Sequence, residues 1–520
     1  MNFDIVIAGG GFAGAYCARA LGRALGRDEG RRRVALIAER NVFVFQPMLA
    51  EVVGSALGPM DVVNPLRQFC RHVTVLQGVV QRVDWAGREL VLDGGRFTRN
   101  HPVGFTHLVL ALGNVTDLTT VPGLAEHTWP LKNVADALRL RATLINRLEE
   151  ASLVDDPVVR TRLLTFVVVG GGYTGVETAG QVHDFMRGAH RFYPNLAATQ
   201  PRVVLVHSHG GLLAEIGADL GGYALRVLER RGIEVRLNTH VSEVTLAQVH
   251  FAEGGAIGTH TVISTIGNAP NPVVLDLCHQ LGVTPARGRV PVTPALRVAG
   301  HDTLWAAGDC AAVPWSDRGT PKTAPPTSQF ALREGTQLGQ NLARVLRGGE
   351  PRAFRYRYQG QLASIGQNVA VAEVWGWHFR GFFAWWLWRT IYLAKLPGLL
   401  RKLRVVTDWT FELLFPRDLG LLLPPPTELL RPVHLEAGEL LFRRGDTPRA
   451  FGFVRTGSLT LAVPGEPPRT LPAGSVLDQD LLDAAGRWRG DVTAAESAGL
   501  LLFRGRAFEL LRGGLRLGKR

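Results

Sequence analysis

The sequence predicts an α/β protein: two Rossmann-like dinucleotide-binding domains, an amphipathic membrane-associating C-terminal region, and an appended all-β roll. Three observations predict it. A buried-type strand runs into Gly-x-Gly-x-x-Gly and then a helix-compatible segment twice, at Gly9-Gly-Gly11-Phe-Ala-Gly14 and at Gly170-Gly-Gly172-Tyr-Thr-Gly175. A stretch rich in tryptophan and basic residues follows between 375 and 409, and short strands separated by glycine turns follow that.

In each copy the first glycine permits the tight turn, the second lets backbone approach a pyrophosphate, and the third lets the helix pack close to the strand. The helix N-terminus then offers unpaired N–H groups to the phosphates. Two copies on one chain imply two dinucleotides held facing each other, hence a redox enzyme. In the first unit the candidate cofactor-binding residues are Gly9, Gly11, Phe12, Ala13 and Gly14, followed by Glu39 and Arg40 at the end of a second strand over 34–38. An acid there accepts hydrogen bonds from an adenosine ribose; its offset from the glycines exceeds the usual ~20 residues because a basic loop, Arg31-Arg-Arg33, intervenes. In the second unit, over 165–270, the candidates are Gly170, Gly172, Tyr173 and Gly175.

A chain of 520 residues, 46% of them hydrophobic, buries several cores. Its formal charge of +13 favours anionic partners: dinucleotides or an acidic membrane surface. No zinc-finger spacing or other nucleic-acid module is present, so nucleic acid is excluded as a partner and no metal is assigned. The four cysteines, Cys17, Cys70, Cys278 and Cys310, are scattered without Cys-x-x-Cys, which argues against a disulfide framework and for a reducing compartment. Nothing near Met1 reads as an export signal, and no uncharged apolar run reaches the ~18 residues of a membrane-spanning helix.

With Phe43-Val-Phe-Gln-Pro-Met48 and Glu51-Val-Val-Gly54, read after the glycine loop and the ribose acid, the chain resembles the type II NADH:quinone oxidoreductases, single-chain flavoproteins of the two-dinucleotide disulfide-reductase superfamily. The resemblance runs over about residues 3–419. It implies FAD and NADH as cofactors, a quinone as acceptor, and electron transfer without proton pumping. It places Gln46 beside the flavin, backbone near Val80 at the adenine, and Gly113 where the chain passes the flavin and crosses over. Glu177 falls where the family has a glutamate near nicotinamide and flavin, a candidate for orienting the hydride donor or relaying protons; as a plain helix acid it would only complement the dipole. Gly267 closes the second domain. In Leu304-Trp-Ala-Ala-Gly308-Asp309-Cys310 a strand is expected to deliver Asp309 at a helix start, where the superfamily's aspartate bonds the flavin ribityl chain. Gln329 matches the first of a pair of glutamines at the family's quinone site, but Arg333 stands at the second. The strand over 202–206 ends in His207 rather than an acid, which removes the strongest acceptor for a 2′-hydroxyl and leaves NADPH open beside NADH. The helix after the first glycine loop carries only Cys17, so no dithiol chemistry is available.

Six of the eleven tryptophans fall at 375, 377, 385, 386, 388 and 409, and between Glu373 and Asp408 there are six bases and no acid. Aromatic bodies with polar tips prefer the headgroup layer and bases meet anionic lipid, so this segment, broken at Pro397-Gly398, reads as lying on the cytoplasmic face of the cell membrane. Leu421-Leu-Leu-Pro-Pro-Pro426 reads as a stiff linker. Beyond it the chain resembles a cyclic-nucleotide-binding β-roll whose Gly-Glu cassette is missing, with Asp478 and Asp480 in the region and Arg489 nearby, so cyclic nucleotide is not expected to bind. The expected division is FAD domain 1–150 and 271–348, NAD(P)H domain 151–270, membrane and quinone region 349–419, linker 420–432 and β-roll 433–520; a homodimer is left open. The rival readings are a sulfide:quinone oxidoreductase, which needs reactive cysteines, and a non-catalytic redox or nucleotide sensor.

Overall fold

The computed structural model describes residues 1–95, 97–317, 320–420, 430–504 and 508. The first unit comprises β1 (Asn2–Ala8), α1 (Phe12–Leu25), β2 (Val34–Ala38), β3 (Thr74–Gln77), β4 (Val79–Asp84), β5 (Glu89–Asp93) and β6 (His101–Leu110). Ile5 through Ala8 and Val34 through Ile37 are fully buried, as a parallel strand covered on both faces requires. β1 lies between β2 and β6, with Ile7 opposite Leu36 on one side and Val109 on the other. The sheet order is β3-β2-β1-β6-β5-β4. Although adjacent in sequence, β3 and β4 do not pair and lie at opposite ends of the sheet, because the chain turns away at Gly78. The basic loop also differs. Residues Arg27–Arg33 are helical, held by Arg33 bridging Asp4 and Glu29, each at 2.5 Å.

The second unit comprises β7 (Thr128–Pro130), α2 (Val134–Leu153), β8 (Thr165–Val169), α3 (Tyr173–His190), β9 (Arg202–Val206), β10 (Glu234–Arg236), β11 (Val241–Val244), β12 (Gln248–Phe251), β13 (Ala256–Gly258) and β14 (Thr261–Ser264). Its parallel sheet runs β7-β14-β8-β9-β10, and β11-β12-β13 form a small antiparallel sheet beside it. β7 enters this sheet from ahead of the expected boundary at 150, since Trp129 pairs with Ile263. α2 starts where the Asn133 and Asp136 side chains each accept from the other's backbone N–H, a capping box.

The chain then returns to the first sheet with β15 (Leu304–Ala306), parallel to β6. No helix begins at Asp309; Ala311 and Ala312 pair with Val290 and Pro291 instead. α4 (Ser328–Val345) packs across α1, and a meander of β16 (Gly360–Ser364), β17 (Ala370–Val374) and β18 (Trp377–Arg380) leads to α5 (Gly381–Lys395) and α6 (Leu399–Leu414). The break between the last two falls at Pro397 and Gly398, whose φ of +94° suits glycine. The tryptophans divide. Trp375, Trp377 and Trp386 are exposed, whereas Trp385, Trp388 and Trp409 are buried between these helices and the body of the protein. No helix among the described residues is long and apolar enough to cross a membrane.

From β19 (Leu430–Leu435) onward, two four-stranded antiparallel sheets enclose a separate core around Phe451 and Trp488. Residues 421–426, the expected stiff linker, lie outside the described residues.

Candidate functional site

Both dinucleotide loops are shaped by close approach. A side chain on Gly14 would place its first carbon 1.8 Å from the Gly9 carbonyl oxygen, and one on Gly175 would lie 1.7 Å from that of Gly170. Only glycine lets helix and strand meet this tightly. The helices that follow start at Gly11 and Gly172 without a side-chain cap and without an acid in the first turn. Their leading N–H groups are therefore left for an anion. Space beyond both cap glycines is open to 4 Å, room for an incoming phosphate.

A cavity of about 880 Å³ lies between the two units. It is lined by Gly9, Gly11, Phe12 and Ala13, by Glu39 and Arg40 after β2, and by Val80. Gln46, Gly113, Gly308 and Asp309 also line it, as do Tyr173, Glu177 and Gln329. Gly14, Gly170, Gly172, Gly175, His207 and Gly267 are not on its wall. The glycines among them shape the loops from behind, and Gly267 sits on the crossover, its carbonyl accepting from Asp117 N at 2.7 Å. His207 turns inward: its Nδ1 accepts from the Gly171 N–H at 3.1 Å, and burial lowers its pKa, which keeps that nitrogen free to accept.

Asp309 is raised in pKa by burial, with the charges of Lys132 and Arg289 acting against the shift. Lys132 donates to Asn268 Oδ1 and is itself lowered by burial. Behind Gly308, the buried Glu334 accepts the Gly308 N–H at 2.7 Å, and burial pushes its pKa up to about 8. Glu177 accepts from Ser364 N at 3.1 Å and is pushed up by burial, again to about 8. It lies beyond the first turn of α3, so dipole compensation is not its place. Its pKa is also raised by the nearby Glu51, a buried acid at about 7 that accepts from Trp409 Nε1 at 3.0 Å. Glu177 thus carries a proton near neutral pH, and is a donor as well as an acceptor.

Where α4 begins and α5 ends, Gln329 donates to the Tyr356 hydroxyl. Arg333 donates to Gln329 O and Gln359 Oε1, both at 2.8 Å, and its guanidinium lies 4.2 Å from the Tyr356 ring centre. Arg333 is thereby tied into the wall it lines. Lys395, at the end of α5, lines the same end, and burial followed by the charge of Arg333 lowers it to about 8. Two hydroxyls on the wall, Tyr173 Oη and Ser264 Oγ, are buried without a hydrogen-bond partner. Buried polar atoms are seldom left so, which fits a site shaped for a polar ligand. Lys132, Lys395, Glu51 and Glu334 were not among the residues expected at the site. Only Glu334 had a local signal, an acid inside a largely apolar helix face close to Gln329.

Two bare helix starts, one for each nucleotide unit, with a shared cavity between the units define a two-dinucleotide oxidoreductase. Residues 3–335 match the family model of the pyridine nucleotide-disulphide oxidoreductases, and residues 358–418 match the NDH2 C-terminal domain. Type II NADH:quinone oxidoreductase Ndh of Mycobacterium tuberculosis is 30% identical over 428 residues, 79% of this chain and 88% of its own. NdhA of the same organism is 31% identical over 422 residues, 78% and 86% of the two chains. The structure of NDH2 from Plasmodium falciparum superposes with a TM-score of 0.74 at 18% identity, over 81% of this chain and 100% of that one, and shares the fold. The chain belongs to the type II NADH:quinone oxidoreductases, flavoenzymes that use FAD, NADH and a quinone. The four cysteines are free and buried, so the sulfide reading lacks its nucleophile. Both family matches end before the β-roll.

The Glu177 carboxyl gives a pH signature. Folding holds a proton there that the unfolded chain releases between its ordinary pKa of 4.5 and about 8, so this group's contribution to stability is lost as pH rises through that window. The loss amounts to at most about 1.4 kcal/mol per pH unit. Glu177→Gln should therefore gain on wild type in melting temperature from acid to mildly alkaline pH. Parallel melting profiles for the two proteins would contradict a buried, protonated Glu177.

Proposed function

We propose that FAD lies along the cavity from Glu39 to Gln329, that the nicotinamide of NADH enters from the α3 side, and that the quinone enters between α4 and α5. The observation that carries this reading is that one cavity is lined at once by the first glycine loop, the start of α3, the start of α4 and the end of α5. Bound there, FAD would supply hydride acceptance from the nicotinamide and electron return to the quinone, chemistry that belongs to the cofactor. The chain's part is to hold and orient. The N–H groups of residues 11–14 take the diphosphate, Glu39 beside Arg40 takes the ribose, and backbone at Val80 takes the adenine. Gln46, Gly113 and Gly308 frame the ring system, and Asp309, balanced by Lys132, bonds the ribityl hydroxyls. On the donor side Gly170, Gly172, Tyr173 and Gly175 shape the second phosphate site, and Gly267 holds the crossover beside it. His207 is committed to the Gly171 amide and supplies no carboxylate for a 2′-hydroxyl, so discrimination between NADH and NADPH is weak. Protonated Glu177 orients the nicotinamide and holds a proton beside the reacting atoms. Gln329 and Lys395 face the quinone headgroup, Lys395 as a donor whose lowered pKa lets it release a proton near neutral pH.

The enzyme lies on the cytoplasmic face of the membrane through α5 and α6. Phe382, Phe383, Trp386, Leu399, Leu400, Leu403, Phe411 and Leu414 are each at least half exposed, and an apolar patch of this extent fits a lipid surface. Lys402 and Arg404 beside it suit anionic headgroups. The β-roll is not expected to take a cyclic nucleotide: its Gly-Glu cassette is missing and Asp478 and Asp480 add negative charge in that region, Asp478 accepting from Asp480 N at 3.0 Å.

Two experiments test these assignments. Asp309→Ala should purify with little bound FAD, read from its absorbance spectrum; a fully yellow variant would remove Asp309 from the ribityl site. Leu403→Glu combined with Phe411→Glu should keep its FAD and its turnover with a water-soluble quinone, yet bind anionic vesicles at least ~10-fold more weakly, as expected from losing two buried apolar side chains at about 1.5–3 kcal/mol each. Wild-type sedimentation of that variant with vesicles would contradict the membrane face.

A further inference from the structure

The β-roll docks on the small β11-β12-β13 sheet of the second unit, and its contact is built from histidines and acids. Glu243 on β11 and His250 on β12 are directly opposed across the strand pair, so both side chains stand on one face of that sheet. His434 on β19 and Glu436 just beyond it are two residues apart, the spacing that points side chains to a common side. The two pairs meet. His434 Nε2 lies 2.7 Å from Glu243 Oε1, and His250 Nε2 lies 2.6 Å from Glu436 Oε2. One ligand atom each from Glu243, His250 and Glu436 fall within 4.8 Å of one another.

We infer that Glu243, His250 and Glu436, with water completing the coordination, form a binding site for a transition-metal ion of the zinc type, which clamps the β-roll to the nucleotide domain, while His434 orients Glu243. One imidazole and two carboxylates are a nitrogen–oxygen set that suits zinc, whereas calcium and magnesium prefer oxygen alone. The His250 Nε2 is buried yet makes no hydrogen bond despite its closeness to Glu436, as for a lone pair directed at a shared point rather than at the carboxylate. Glu436 is already oriented: Gln248 Nε2 donates to its Oε1 at 2.7 Å and leaves Oε2 toward His250. Such outer hydrogen bonds fix the ligands of metal centres. The four side chains are 19–28% exposed, so an ion can enter from solvent. None of them lines the redox cavity. Sequence spacing could not reveal the set, because its halves lie nearly two hundred residues apart.

The test uses the full-length flavoprotein and zinc chloride. Wild type, incubated with zinc and passed through a desalting column, should retain about one zinc per chain by mass spectrometry, and zinc should raise its melting temperature. His250→Gln combined with His434→Gln should retain none and show no zinc-dependent shift, while its FAD content and NADH oxidation stay at wild-type levels, which shows that it is folded. Wild type that retains no zinc, or a double variant that retains as much as wild type, would overturn the site. If the variant fails to fold, Glu243→Gln alone should weaken zinc retention at least ~10-fold, no less than the loss that changing a ligand's outer hydrogen-bond partner causes; unchanged retention would overturn it equally.

Discussion

Two helix N-termini, each stripped of acid and of a capping side chain, open toward one cavity, and most of the architecture serves to bring them there. The glycines at 14 and 175 let each helix lie on its own strand with no room for a single carbon. That contact aims the leading N–H groups past the ends of the parallel strands, where α/β sheets place their ligands. β15 returns the chain to the first sheet so that Asp309 arrives beside the first loop, and α4 packs on α1 so that Gln329 closes the opposite wall. Substituting either helix-contact glycine would move the N-terminus it supports, whatever else remained intact.

A second constraint joins the cavity to α5 and α6. Glu177 and Glu51 are buried acids whose charges burial disfavours, and Glu51 is reached from α6 by the Trp409 indole. Arg389 of α5 and Arg417 both bridge Glu412, at 2.5 and 2.6 Å, and Arg389 also stacks on Trp385 and Trp409. A buried charge is tolerated only when paired and bonded, so these partners specify how the two helices dock. The helices are thus fastened by polar contacts on their inner side and leave their apolar side outward. Three of the tryptophans belong to the fastening and three to the outer face.

What was legible in the sequence was what local chain geometry determines. The glycine turns, the strand ending near Asp309, the helix break at Pro397-Gly398 and Gln329 each depend on a few adjacent residues. Whatever depends on a distant partner was hidden. Arg31 to Arg33 read as a loop, but Arg33 finds Asp4 and the segment is helical. His207 read as a residue beside the donor's ribose, yet it bonds Gly171 on the neighbouring strand's turn. The tryptophan cluster read as a single surface because composition does not tell an inward face from an outward one. Nothing local marks Lys132, Lys395 or Glu51 as a titrating group of the site; their perturbed acidities arise from burial by segments far along the chain.

The proposed coupling of a nicotinamide donor to a quinone runs through flavin bound in one cavity. Anaerobic titration of the purified yellow protein tests it most directly. One equivalent of NADH should bleach the oxidised flavin spectrum, and one equivalent of quinone should restore it without dioxygen. A flavin that NADH leaves oxidised, or that quinone fails to reoxidise, would contradict the account.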